Sequence, residues 1–138
     1  MNSPTKKTGC QNVNLPGKKA DYQNMSSSSL AFLGDCVFEL LVRAELISTS
    51  DFSAKKLHHL SVLEVCCQAQ AEFLEKILDV LTDEELAVYK RGRNAHTSHT
   101  PKRATNSEYH KATGLECLFG HLYLKGDIER LSYLFSLK

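Results

Sequence analysis

Leu30-Ala31-Phe32-Leu33-Gly34-Asp35-Cys36-Val37-Phe38-Glu39-Leu40-Leu41-Val42-Arg43 decides the fold of this chain. The run holds no proline, and most of its residues tolerate a helix. Apolar side chains fall on nearly every side, so the spacing predicts a helix over about residues 30–47 that is buried on more than one face. Asp35 and Glu39 are four residues apart and share one side of that helix. A buried carboxylate requires a cation, a set of hydrogen-bond donors or a proton of its own. Gly34 costs the helix roughly 1 kcal/mol against alanine, a loss that makes sense where a second backbone comes close. Glycine and acid together mark a site.

Outward from this helix the pattern stays helical. Ser48-Thr49-Ser50-Asp51 reads as a stop followed by a fresh N-cap. From Ser53 to about residue 81, Leu57, Leu60, Leu63, Cys67, Ala71, Leu74 and Leu78 recur in steps of three and four, giving one long helix or two abutting ones. Thr82-Asp83-Glu84-Glu85 has the form of a capping box, opening a helix that runs towards Arg93. Asn94 to Thr105, with Pro101, reads as a loop. Ser107 is the expected cap of the next helix, Gly126 its stop, and Asp127 the cap of a short last helix. No hairpin or alternating strand pattern occurs, so the expected fold class is all-α.

The 138 residues suit one domain with a single core. Residues 1–28, rich in Lys, Asn, Ser and Gly, read as a flexible N-terminal tail, and residues 29–138 as the folded domain. Apolar residues make up 42% of the chain and charged ones 24%, which excludes wholesale disorder. No apolar run approaches the roughly 18 residues that span a bilayer, so no membrane association is expected. Five cysteines form no CxxC pair, and the tail carries no secretory core; both point to a reducing, cytoplasmic setting. The net charge of +1 conceals an uneven distribution: residues 29–89 hold eleven acids against four bases, whereas residues 90–111 hold six bases and one acid.

A second stretch, Thr113-Gly114-Leu115-Glu116-Cys117-Leu118-Phe119-Gly120-His121-Leu122-Tyr123-Leu124, repeats the logic of the first. If Gly34 and Gly120 mark a close crossing of the two helices, Asp35 and Glu116 meet. Two carboxylates without a cation would repel until one took a proton, and a divalent ion removes that conflict. Mg²⁺ suits such a site because it keeps several waters and binds one or two carboxylates together with phosphate oxygens. Against this stands the ordinary reading of an acid in an apolar helix as half of an ion pair, with Glu39 and Arg43 an obvious i,i+4 couple. In the basic segment, Lys90, Arg91, Arg93, Asn94, His96, Lys102 and Arg103 are interleaved with small hydroxyl residues and Gly92. That composition reads a nucleic-acid backbone, or else forms a solvated loop. His96, His99 and His110 lack a cysteine at zinc-site spacing.

Together the three stretches resemble the ribonuclease III family. Leu33-Gly34-Asp35 looks like its signature helix and Glu116 to Leu124 like its second acidic helix. Lys90-Arg91-Gly92-Arg93-Asn94-Ala95 followed by Pro101-Lys102 looks like the Mini-ribonuclease III branch, which consists of the catalytic domain alone. The resemblance covers roughly residues 29–136. It implies a ribonuclease III-like helical domain without a double-stranded-RNA-binding domain, acting as a homodimeric, Mg²⁺-dependent endoribonuclease on double-stranded RNA, with Mn²⁺ as a substitute. For the mini branch the implied substrate is precursor ribosomal RNA of the large subunit. Asp35 and Glu116 match the family's catalytic, metal-binding acids, and Glu39 is a further ligand candidate. Ala31 and Thr113 stand where full-length relatives carry two more acids. Two other readings remain: a binding protein that keeps this fold without cutting, and a helical scaffold whose basic loop contacts protein.

Overall fold

The first helix, α1, spans Ser27–Thr49, longer at both ends than the apolar run alone indicates. Ser26 supplies the extension: its side chain accepts a hydrogen bond from the Ser29 amide, satisfying a donor that the first turn leaves free. In the computed structural model, residues 21–95 and 105–138 are described. Among them the chain continues through α2 (Ala54–Val65), α3 (Cys67–Ile77), a 3-10 turn (Leu78–Val80), α4 (Asp83–Arg93), α5 (Asn106–Lys125) and α6 (Ile128–Ser136). The described residues contain no strand, and the chain is all-α as expected.

Helix α5 lies at the centre, packed against α1, α4 and α3, with α6 closing one end. Phe38, Phe73, Phe119 and Phe135 come from α1, α3, α5 and α6, and their ring centroids lie 5.7–6.3 Å apart. One aromatic from each of four helices thus fixes their mutual orientation by tilted and edge-on contacts.

Between α2 and α3 the chain makes a clean break, so the apolar periodicity belongs to two abutting helices. Cys66 is extended (φ −67°, ψ 156°) and serves both as the end of one helix and the start of the next. The Val65 carbonyl left over at this break accepts a hydrogen bond from Gln70 Nε2 at 3.0 Å.

At α4 the capping box forms as the sequence indicates, with Thr82 and Glu85 bonding reciprocally. Glu85 is also gripped by Arg130 of α6, whose guanidinium nitrogens lie 2.8 and 2.9 Å from the two carboxylate oxygens. Burial pushes the Glu85 carboxyl up, but the bonds from Arg130 and Thr82 outweigh it and hold the group below its usual range.

The start of α5 corrects the expectation for Ser107. Thr105 is the cap, because Glu108 three residues on completes a second capping box with it; Ser107 lies inside the first turn. Gly126 ends α5 in the left-handed region at φ 83°, and Asp127 caps α6.

Candidate active site

A close crossing of α1 and α5 builds the site. A Cβ placed on Gly34 would sit 1.6 Å from the Glu116 carbonyl oxygen, and one on Gly120 would sit 2.2 Å from the Leu30 carbonyl oxygen. Backbone therefore meets backbone on both sides of the contact. This brings Asp35, next to Gly34, to the same spot as Glu116.

The two acids line one pocket of about 280 Å³. Helix α1 contributes Ser27, Ser28, Ala31 and Phe32 beside Asp35; α5 contributes Tyr109, Ala112 and Thr113 beside Glu116. Cys67, at the start of α3, and Ala95, just past α4, complete the wall. Ala31 and Thr113 each lie one turn before an acid, and the Thr113 hydroxyl donates to the Tyr109 carbonyl at 3.0 Å.

The electrostatics follow from this packing. Burial, and then the charge of Asp35, push the Glu116 carboxyl up to about 7, with the polar Gln70 side chain opposing both. Asp35 is more open to solvent, yet burial and the neighbouring charge of Glu39 also raise it. Such a pair accommodates a positive ion far better than a second negative charge.

The remaining expected residues divide. Glu39 does not join the pocket wall: its carboxylate is paired with Arg43 at 2.7 Å, the i,i+4 couple that the sequence also offered. Among the described residues no group of three or more His, Cys, Asp or Glu side chains is placed to hold a metal ion, so the acid pair stands without a third such ligand. In the basic segment, Lys90 is exposed, and Arg93 lies over the Tyr89 ring with its Nε donating to Asn94 Oδ1 at 3.1 Å. Arg91 turns away from the acid pocket. Its guanidinium donates to the Met25 carbonyl at 3.3 Å and lines a separate pocket with Gln23, Glu84 and His121. His96, His99, Lys102 and Arg103 lie outside the described residues. Because Ala95 is part of the acid pocket's wall, the basic segment leaves α4 beside the two carboxylates.

Gln70, Cys67, Tyr109 and the Ser27-Ser28 pair escaped the sequence reading. The two serines fell within the stretch read as tail, and the other three carry no distinguishing spacing.

Comparison with known proteins gives the family. The family model described as the Ribonuclease III domain matches residues 28–127. Mini-ribonuclease 3 of Thermoanaerobacter sp. (strain X514) is 39% identical over 114 residues, covering 83% of this chain and 80% of the relative. Mini-ribonuclease 3 of Clostridium tetani (strain Massachusetts / E88) is 38% identical over 120 residues, covering 86% and 80%. A crystal structure of a Fusobacterium nucleatum protein superimposes with a TM-score of 0.76 at 29% identity, covering 84% of this chain and 93% of that one.

Proposed function

This chain belongs to the ribonuclease III family and is an endoribonuclease, and from that premise we propose that Asp35 and Glu116 hold Mg²⁺, or Mn²⁺ in its place, for cleavage of double-stranded RNA. The observation that carries the metal reading is the placement of the two carboxyls in one pocket, where burial and mutual charge make a divalent cation the natural partner. The donor set fits a hard ion. Two carboxylates, with open pocket around them for waters and phosphate oxygens, match the way Mg²⁺ is usually held. When bound, such an ion supplies positive charge opposite the phosphodiester and makes water a better nucleophile.

The chain's own residues do the rest. The α1–α5 crossing holds the acids in register, and half-buried Glu116, once a cation displaces its proton, presents its charge from a low-dielectric wall where it acts strongly on that cation. Lys90, Arg91, Arg93 and Asn94, with His96, Lys102 and Arg103, are the proposed contacts to the RNA backbone. For Arg91 this requires exchanging the Met25 carbonyl for a phosphate. A-form RNA offers phosphates, 2′-hydroxyls and shape rather than readable base edges, so affinity should fall steeply with salt.

The likeness to Mini-ribonuclease 3 proteins supports precursor ribosomal RNA of the large subunit as the substrate. A homodimer is supported by one apolar stripe along α1: Phe32, Leu40 and Ile47 are 86%, 61% and 66% exposed. Among the described residues no helix is long and apolar enough to cross a membrane, and a cytoplasmic setting is the proposed location.

The test is cleavage of a structured RNA duplex in Mg²⁺ and in EDTA by the wild type, Asp35→Asn and Glu116→Gln. Expected are cleavage by the wild type in Mg²⁺ only and loss in both variants, with duplex binding largely kept. Unimpaired cleavage by either variant would remove that acid from the active site. Binding without any cleavage by the wild type in Mg²⁺ would favour a non-catalytic RNA-binding role.

A further inference from the structure

We propose that Tyr109 reads the ribose of the substrate: its hydroxyl hydrogen-bonds a 2′-hydroxyl of the strand held at Asp35 and Glu116, which makes it a determinant of RNA over DNA. The proposal rests on the reading of that pocket as the cleavage site given above.

Tyr109 and Glu116 both lie on α5, two turns apart on one face, so their Cα atoms are separated by about 10 Å. Ala112 and Thr113 stand between them, and all four residues line the acid pocket of about 280 Å³. Ala95, at which the basic segment leaves α4, belongs to the same wall. An RNA strand that spans from that segment to the acids runs along this wall. The Tyr109 ring is half-buried and meets the His110 ring edge-on, with centroids 5.9 Å apart. The Thr113 hydroxyl is already given to the Tyr109 carbonyl at 3.0 Å. The Tyr109 hydroxyl, by contrast, has no hydrogen-bond partner among the described residues. A free phenol in the pocket that holds the two acids is available to a ligand there. The wall also decides which part of the RNA it meets. Among the described residues that wall carries no cation, so a phosphate beside Tyr109 would find no side-chain charge to offset its own. A ribose hydroxyl brings no charge, and like a phenol it both donates and accepts. It is also the group by which a protein tells RNA from DNA at a given site.

The experiment uses the full chain and its Tyr109→Phe variant, which keeps the ring and removes only the hydroxyl. An all-RNA duplex is compared with duplexes carrying a single 2′-fluoro nucleotide, walked across the cut. That sugar keeps the A-form pucker but cannot donate and accepts poorly. In Mg²⁺ the variant is expected to lose about fivefold in kcat/KM on the all-RNA duplex, the size of one neutral hydrogen bond. At one position, 2′-fluoro is expected to cost the wild type a similar factor and the variant nothing further. A variant as active as the wild type overturns the proposal. So do losses that multiply at every position, because the hydroxyl then meets a phosphate, water or the fold itself. The same cycle, read as duplex affinity in EDTA, needs neither metal nor cleavage. If Asp35→Asn cleaves as the wild type does, the metal reading fails, while the affinity cycle still decides the role of Tyr109.

Discussion

Glu116 is under opposing demands: its pocket raises it to about 7 from an ordinary 4.5, yet binding a cation requires it charged. Without metal, the folded chain keeps a proton on Glu116 across a range where the unfolded chain has already released it. Stability is therefore lost as pH rises from about 4.5 through about 7, by up to roughly 3 kcal/mol. Melting in EDTA should show this decline in the wild type and not in Glu116→Gln; parallel curves would mean that the carboxyl titrates normally. Glu84 and Glu85, both held below their usual range, act in a different window. Their contribution is present at higher pH and disappears as pH falls through their lowered values, so the two effects separate. Thr105→Ala should cost about 1 kcal/mol in urea unfolding, with Ser107→Ala close to neutral. The reverse order would remove Thr105 as the cap.

Between elements, the α1–α5 crossing governs both stability and site. Gly34→Ala places a methyl against the Glu116 backbone, which cannot yield as a side chain tip would. The helices must part, at a cost of about 3 kcal/mol or more, and cleavage should fall with the displaced acids. Urea unfolding and an RNA cleavage assay on the same sample check both halves; a variant as stable and active as the wild type would mean that the helices do not meet at Gly34. Steps of three and four allowed either one helix or two over the Leu57–Leu78 region. Extended Cys66 resolves the choice and lets Gln70 meet the Val65 carbonyl.

Across the whole molecule, α1 is the helix whose apolar character exceeds what one chain buries. Its inner face holds Leu30, Val37, Phe38 and Val42, while Phe32, Leu40 and Ile47 stay exposed. A second copy would cover that outer stripe by an isologous contact. Leu40→Lys, which leaves the acid pocket untouched, should shift the chain from dimer towards monomer in size-exclusion chromatography with light scattering. A wild type already monomeric at micromolar concentration would overturn the dimer. Arg91→Ala should weaken binding to unrelated duplexes by similar factors and flatten the salt dependence by about one unit of slope, whereas a loss confined to one RNA would indicate base reading.

Local chemistry was enough to fix the all-helical class, the Thr82 and Asp127 caps, the Gly126 stop and the two stretches in which glycine and acid lie together, because periodicity and capping depend on near neighbours. The likeness of those stretches to known signatures was legible for the same reason. Tertiary packing alone decided that Asp35 meets Glu116 and that Arg91 reaches Met25. It also buried Gln70 against the end of α2. Each of these depends on which long-range partner comes within a few ångströms, a distance set by the crossing of α1 and α5 and the break before α3.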